Sequence, residues 1–386
     1  MNIGTFDWTL ECPACGATAA PDGLPTLCPS GHPWLVTYPS RTWSLQDRAA
    51  IRRGSSMWRF SAMLPVRNGE APVSLGEGDT PLVHVPRTGA QLGCAGLWIK
   101  DEGVNPTGSF KSRGLSAAVT RAAAGGAVGL VLPTAGNAGV AASAYGARAG
   151  LPVKVFAPRS TPPTLLAQIR LFGGDLELVD GHIGDCGRKA RAFSTEHGYF
   201  DVSTLKEPYR IEGKKTLGLE LAMQRNWALP DAIIYPTGGG TGLIGMWKAF
   251  RELHQIGWVT GNLPRLYSVQ SSGCAPVVRA FTDGRDGAEP WEHPETVASG
   301  LRVPGPIGDR LMLRAIRETG GAAVAVSDAD LVQAAADVSA REGLDISPEG
   351  GAALAAVRHL IGSGGITSDE TVVVFNTGAG WLYRGS

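Results

Sequence analysis

Lys111 follows the run Asn105-Pro106-Thr107-Gly108-Ser109-Phe110 and leads into the Ala-rich segment SRGLSAAVTRAAA (112–124). A lysine on a helix is ordinarily a solvated ammonium with no chemistry. Here Phe110 and the alanines predict a desolvated position, and desolvation lowers an ammonium's pKa and frees a nucleophilic amine. Further on, TGGGTG (237–242) lies between the apolar run DAIIYP (231–236) and the helical pattern LIGMWKAFREL (243–253). Gly238, Gly239, Gly240, Thr241 and Gly242 are small enough for backbone N–H groups to close around a phosphate at the positive end of a helix. A plain strand-to-helix turn rarely needs three consecutive glycines. No Lys-Ser or Lys-Thr follows, so this is not a Walker A loop, and it also lacks the G-x-G-x-x-G dinucleotide pattern. A desolvated lysine with a separate phosphate cradle is what pyridoxal phosphate (PLP) requires of a protein.

Other polar residues fall into similar turns. Asn137 in TAGNAG (134–139) reads either as a turn asparagine or as an amide that donates to a cofactor oxygen. Thr377 in NTGAG (376–380) reads either as a helix cap or as a hydroxyl offered to a ring nitrogen. Near the N-terminus, Cys12-Pro-Ala-Cys15 and Cys28-Pro-Ser-Gly-His32 form two knuckle-like pairs with ribbon spacing. Three thiolates and an imidazole would complete a tetrahedral structural zinc; a decayed ribbon that folds without metal is the alternative.

The elements that must carry these residues are legible as alternation. The runs 97–100, 128–133, 153–158, 176–179, 231–236, 265–270 and 371–376 are apolar and strand-length, and Ala-rich helical patterns separate them. That alternation predicts an α/β fold in which parallel sheets are covered by helices. In such sheets ligands gather where strand C-termini meet helix N-termini, and the four polar Gly-rich turns follow four of these strands.

A length of 386 residues suggests more than one core, and the cysteine-bearing residues 1–40 read as a small module ahead of a region spanning 41–386. The 35 basic and 35 acidic residues cancel, which argues against a nucleic-acid partner. The six cysteines do not form a disulfide framework, and the first residues show no secretory pattern, so a cytoplasmic protein is expected. The longest uncharged stretch, between Arg121 and Arg148, is interrupted by Pro133, Asn137 and many glycines and is not read as a membrane span.

Taken together these segments resemble the fold type II PLP enzymes, and threonine synthases most closely. The resemblance runs in order through GEGDTPLV (76–83), KDEGVNPTGSFKSRG (100–114), TAGNAGVAAS (134–143) and YRIEGKKTLGLEL (209–221). It continues through PTGGGTGLIGMWKAF (236–250), SSGCAPVVRAF (271–281), ASGLRVP (298–304), SPEGGAAL (347–354) and FNTGAG (375–380). It implies two parallel-sheet α/β domains flanking a cofactor cleft, the smaller at about 115–210, behind a ribbon-like module at 1–40. By matching position, Lys111 is the Schiff-base lysine and Asn137 faces the cofactor's ring hydroxyl. Residues 238–242 hold its phosphate and Thr377 faces the pyridine nitrogen. Thr134 and Arg210 correspond to substrate contacts, Arg210 to one on the substrate's phosphate.

The implied reaction converts O-phospho-L-homoserine and water into L-threonine and phosphate, in a homodimer. The chain departs from the pattern in three places. Lys111-Ser112-Arg113-Gly114 replaces K-D-R-G, the phosphate loop is all Gly at its centre, and the ribbon's fourth Cys is absent. Cysteate synthase-like β-replacement, threonine dehydratase-like deamination and a non-catalytic PLP-binding homologue share the cofactor residues and stay open at this stage.

Overall fold

The structure is a computed structural model that describes residues 7–384. Residues 1–6 of the expected N-terminal module and residues 385–386 of the expected catalytic region lie outside the described residues.

Three short strands open the chain, β1 (Thr9–Glu11), β2 (Thr18–Ala19) and β3 (Leu35–Thr37), paired antiparallel in the order β2-β1-β3. Strands β4 (Leu82–His84) and β5 (Gly96–Asp101) begin a larger sheet. The chain then leaves it to build β6 (Leu130–Pro133), β7 (Val153–Pro158), β8 (Asp175–Val179) and β9 (Phe200–Asp201). It returns with β10 (Ala232–Pro236), β11 (Arg265–Ser271), β12 (Ala323–Val326) and β13 (Thr371–Asn376). The small sheet has the order β8-β7-β6-β9 and is wholly parallel. The large sheet has the order β12-β11-β10-β13-β5-β4. It is parallel except for β4, which pairs antiparallel with β5 at the edge.

Alternate residues of each central strand feed different cores. Val373 and Phe375 join the cluster on one face of the large sheet, while Val372 and Val374 join the cluster on the other. In the small sheet Leu130 and Leu132 point one way and Val131 the other. Burial on both faces explains why these strands read as continuous apolar runs rather than as alternating ones. The runs at 97–100, 153–158, 176–179, 265–270 and 371–376 fall within strands, whereas 231–236 is strand from Ala232 and 128–133 only from Leu130. Strands β4, β9 and β12 lie outside those runs, and each is a short edge strand.

Five helices position the site: α1 (Lys111–Ala124), α2 (Asn137–Ala149), α3 (Tyr209–Gln224), α4 (Thr241–Gln255) and α5 (Pro348–Gly362). Helix α3 is buried along fifteen of its sixteen residues, including Arg210, Glu212, Lys214, Lys215 and Glu220. Of these charges, Glu212, Lys215 and Glu220 are paired in two networks. Arg113 meets Glu102 through Nε at 2.7 Å and Nη2 at 2.8 Å, and meets Glu220 at 3.0 Å, where Lys100 also binds. Lys215 and Lys248 both pair with Glu212, at 2.7 and 2.9 Å.

The N-terminal strands do not stand apart from this body. Trp8, Leu10, Cys12, Cys28, Trp34 and Val36 share one core with Ala118 of α1 and Tyr209 of α3. The Tyr38 hydroxyl donates to Glu212 at 2.7 Å, a second tie to α3. Among the described residues, no helix is long and apolar enough to cross a membrane.

Candidate active site

The strand order explains why distant motifs converge. In the large sheet β10, β13 and β5 are neighbours, so the turns after them (237–241, 376–380 and 102–111) emerge side by side at one sheet edge. The turn after β6 brings Asn137 to the same place from the small sheet. A cavity there is lined by Phe110, Lys111, Asn137, Tyr235, residues 238–242, Gly300, Leu301, Glu349, Thr377 and Tyr383. Sequence reasoning found Lys111, Asn137, the glycine loop and Thr377, all of which line this one space. Tyr235 lay inside an apolar strand, and Glu349 looked like an ordinary acidic residue in the first turn of a helix. Tyr383 sat in the last few residues with no spacing to mark it.

Lys111 is the first residue of α1, and its Nζ lies 4.2 Å from the centre of the Phe110 ring. Burial, with the nearby Arg210 charge, pulls its pKa down to about 7, against which Glu349 acts. About half of the amine is therefore neutral near pH 7, the form a nucleophile or a proton acceptor needs. A second buried amine, Lys214, donates to the Phe110 carbonyl and lies 4.1 Å from the same ring. Burial and the Lys111 and Arg210 charges hold Lys214 well below the usual lysine range.

The glycine loop is shaped by contacts that no side chain could replace. A Cβ on Gly238 would stand 2.2 Å from the Gly300 carbonyl oxygen, and Gly240 has φ +80° as the cap of α4. The first N–H groups of α4 have no acceptor within the helix and face the cavity end, where the helix dipole is positive. Asn137 Nδ2 donates to the Tyr383 hydroxyl at 2.8 Å, while its Oδ1 is buried without a hydrogen-bond partner. Thr377 is buried, and its carbonyl accepts from Phe110 N at 3.0 Å, tying the β13 turn to the lysine turn. A buried neutral amine, a glycine cradle on a helix N-terminus and an unpartnered amide oxygen fit a phosphorylated aldehyde cofactor.

Thr134 and Arg210 lie outside that lining. The Thr134 hydroxyl accepts from Gly136 N at 2.9 Å and Gly139 N at 3.0 Å and so holds its own turn together. Arg210, in the first turn of α3, uses Nη1 on the Val202 carbonyl at 2.8 Å. Its Nε and Nη2 are buried without hydrogen-bond partners. Glu207 accepts the Tyr209 and Arg210 backbone N–H groups, and burial pushes its pKa up to about 7.

In the N-terminal region, the sulfurs of Cys12, Cys15 and Cys28 lie within 4.8 Å of one another, and His32 is not part of that group. His32 instead gives its backbone N–H to Cys28 Sγ at 3.3 Å, while its Nδ1 is buried without a partner. The Ala17 backbone N–H, helped by the Cys12 side chain, lowers the Cys15 thiol to about 7. Such donors stabilise thiolates, and the trio fits a soft divalent ion.

Comparison with known proteins agrees with this geometry. The pyridoxal-phosphate-dependent enzyme family matches residues 73–378, and the chain belongs to it. Within that class it belongs with the threonine synthases. It is 34% identical to the threonine synthase of Methanosarcina acetivorans, over 96% of this chain and 91% of that one. It is 32% identical to that of Methanocaldococcus jannaschii over 96% and 92% of the two chains, and 34% identical to that of Mycobacterium bovis over 82% and 85%. Among solved structures it is similar to a T.th. threonine deaminase, with TM-score 0.67 and 25% identity over 87% of this chain and 98% of that one. A maize serine racemase shares the fold with TM-score 0.67 at 21% identity, over 78% of this chain and 88% of that one.

Proposed function

We propose that this chain converts O-phospho-L-homoserine and water into L-threonine and phosphate, with PLP carried on Lys111. The observation that carries the substrate assignment is Arg210, a fully buried guanidinium whose Nε and Nη2 have no protein partner and whose charge reaches Lys111. A buried cation with two unpaired donors is costly unless an anion meets it, and its planar fork suits the two oxygens of a phosphate. Gly238, Gly239, Gly240, Thr241 and Gly242 would hold the cofactor's own phosphate, which leaves Arg210 for the substrate's. Asn137 would face the ring hydroxyl and Thr377 the ring nitrogen. Thr134, its hydroxyl engaged by the loop, would act on substrate by shaping the turn that presents Asn137.

When bound, the cofactor supplies an electron-withdrawing ring that stabilises negative charge at the substrate's Cα. Lys111, which titrates near pH 7, is suited to take the Cα proton and to return one during the exchange of phosphate at Cγ for water at Cβ. A hydroxyl rather than a carboxylate at Thr377 would leave the ring nitrogen mostly unprotonated, which disfavours transamination. Cys12, Cys15 and Cys28 would hold one structural zinc, with His32 completing the set after its ring turns toward the thiols. The unpaired state of all six cysteines supports a reducing, cytoplasmic setting, and the resemblance supports a homodimer.

Incubation with phosphohomoserine should yield threonine and phosphate in equal amounts. Arg210→Ala should keep the bound cofactor's visible spectrum while kcat/KM falls about ten- to a hundredfold, the loss of a charge-assisted contact worth roughly 1.5–3 kcal/mol. A wild-type protein inert toward phosphohomoserine but able to replace the phosphate of phosphoserine with sulfite would overturn the assignment in favour of β-replacement. Deamination of threonine as the main activity would overturn it in favour of a dehydratase.

A further inference from the structure

Tyr235 stands near the end of β10, just ahead of the glycine loop, and lines the cavity. It is 2% exposed. Its ring packs edge-on against Phe110, with centroids 6.1 Å apart, and lies tilted against Phe375 at 5.4 Å. A phenylalanine would make both contacts equally well. The hydroxyl is the part those contacts do not explain, because it is buried and has no hydrogen-bond partner in the protein. A buried hydroxyl left unpaired costs stability, so its presence here points to an acceptor that arrives with a ligand. Its position says where that acceptor sits. A Cβ on Gly242 would stand 1.9 Å from the Tyr235 hydroxyl oxygen, so only glycine leaves room for the phenol there. The oxygen therefore lies against the second residue of α4, the helix whose free N–H groups form the cradle.

We propose that Tyr235 is a further residue of the phosphate cradle, its hydroxyl donating a hydrogen bond to the cofactor's phosphate beside the backbone N–H groups of the glycine loop. A phosphate offers several oxygens, and donors from a loop and from a strand can meet different ones. Burial keeps the phenol protonated well past neutral pH, so it enters as a donor and brings no negative charge against the anion. The donor is also fixed in advance. Strand β10 is held by β11 on one side and β13 on the other, and the ring is packed against Phe110 and Phe375. Since Phe110 precedes Lys111, one side chain links the phosphate end of the cavity to the lysine turn. The alternative is that Tyr235 only fills space beneath α4. Filling space needs the ring and not the hydroxyl, and the two readings part on that atom.

This proposal rests on the reading that the glycine loop holds the cofactor's phosphate. Its test uses the full chain stripped of cofactor, as parent and as Tyr235→Phe. Each is titrated with PLP and with pyridoxal, which lacks the phosphate. Tyr235→Phe should weaken the Kd for PLP by about tenfold, the loss of one hydrogen bond to a charged acceptor. It should also move the phosphorus NMR resonance of the bound cofactor. The Kd for pyridoxal should stay at the parent's value, and without cofactor the variant should melt no lower than the parent. Unchanged PLP affinity, an unmoved phosphorus resonance or an equal loss of affinity for pyridoxal would each overturn the proposal. A variant that melts lower without cofactor, or fails to fold, would overturn it too, because the hydroxyl would then serve the protein's own structure. A parent protein that binds pyridoxal as tightly as PLP, or whose borohydride adduct maps to Lys214 or Lys100, would instead remove the reading of the site, and this proposal with it.

Discussion

Lys111 and Arg113 are two residues apart on α1 and meet opposite environments. Arg113 faces away from the cavity and is met by two carboxylates, Glu102 and Glu220, which hold its pKa above the usual arginine value. Lys111 faces the cavity with Arg210 near it and only Glu349 to oppose that charge. The Ser at 112, where the family's pattern has an acid, leaves Lys111 without an adjacent carboxylate. Its amine should therefore titrate near pH 7, and capture of PLP, trapped with borohydride, should rise about tenfold from pH 6 to pH 8. Trapping that instead keeps rising to pH 10 would mean an ordinary exposed lysine. The same shift has a stability sign. The folded state disfavours the protonated amine, so Lys111 costs stability in full below pH 7. That cost is relieved as pH climbs from about 7 toward the unfolded value near about 10.4.

Helices α1 and α3 carry Lys111 and Arg210, and their separation is set by glycine. A Cβ on Gly213 would lie 2.1 Å from the Arg113 carbonyl oxygen and 2.8 Å from Gly114 Cα, both backbone atoms with little room to yield. Gly213→Ala should push the helices apart and cost about 1–3 kcal/mol of stability, with weaker cofactor retention because the lysine turn moves. Gly184→Ala, in a helix where a Cβ meets nothing within 4 Å, is the matched control and should melt like the parent. Equal melting temperatures for the two variants would show that the contact is not limiting. Helix α3 itself would be hard to recognise from sequence. It carries charges at 210, 212, 214, 215 and 220, and the burial of Glu212 and Glu220 is made possible by partners as distant as Lys100, Arg113 and Lys248.

At the scale of the whole molecule, the N-terminal strands act as a brace on the site helices rather than as an appendage. Their core includes Tyr209, the residue before Arg210, and the Tyr209 hydroxyl reaches the Pro21 carbonyl at 3.4 Å. The protein should carry about one zinc per chain, and Cys12→Ser should lower both metal content and melting temperature. Because the brace meets α3 beside Arg210, that variant should also raise KM for phosphohomoserine while leaving the cofactor spectrum intact. Elemental analysis of protein purified without chelators that finds no zinc would leave the trio as a metal-free ribbon.

Local chemistry was enough to announce the strands at 153–158, 231–236 and 371–376, the glycine loop and Lys111. Each depends on residues within one turn or one strand: doubly buried strands need continuous apolar runs, and a phosphate cradle needs consecutive small residues. The same local reading left Asn137 and Thr377 undecided between turn roles and site roles, and resemblance alone favoured the latter. It was silent on Glu349 and Tyr383, and it could not separate the fully paired arginine at 113 from the one at 210, whose Nε and Nη2 have no hydrogen-bond partner. Those distinctions depend on which strands lie side by side and which buried charges find partners. Both are matters of contacts between residues a hundred or more positions apart, and only the tertiary structure decides them.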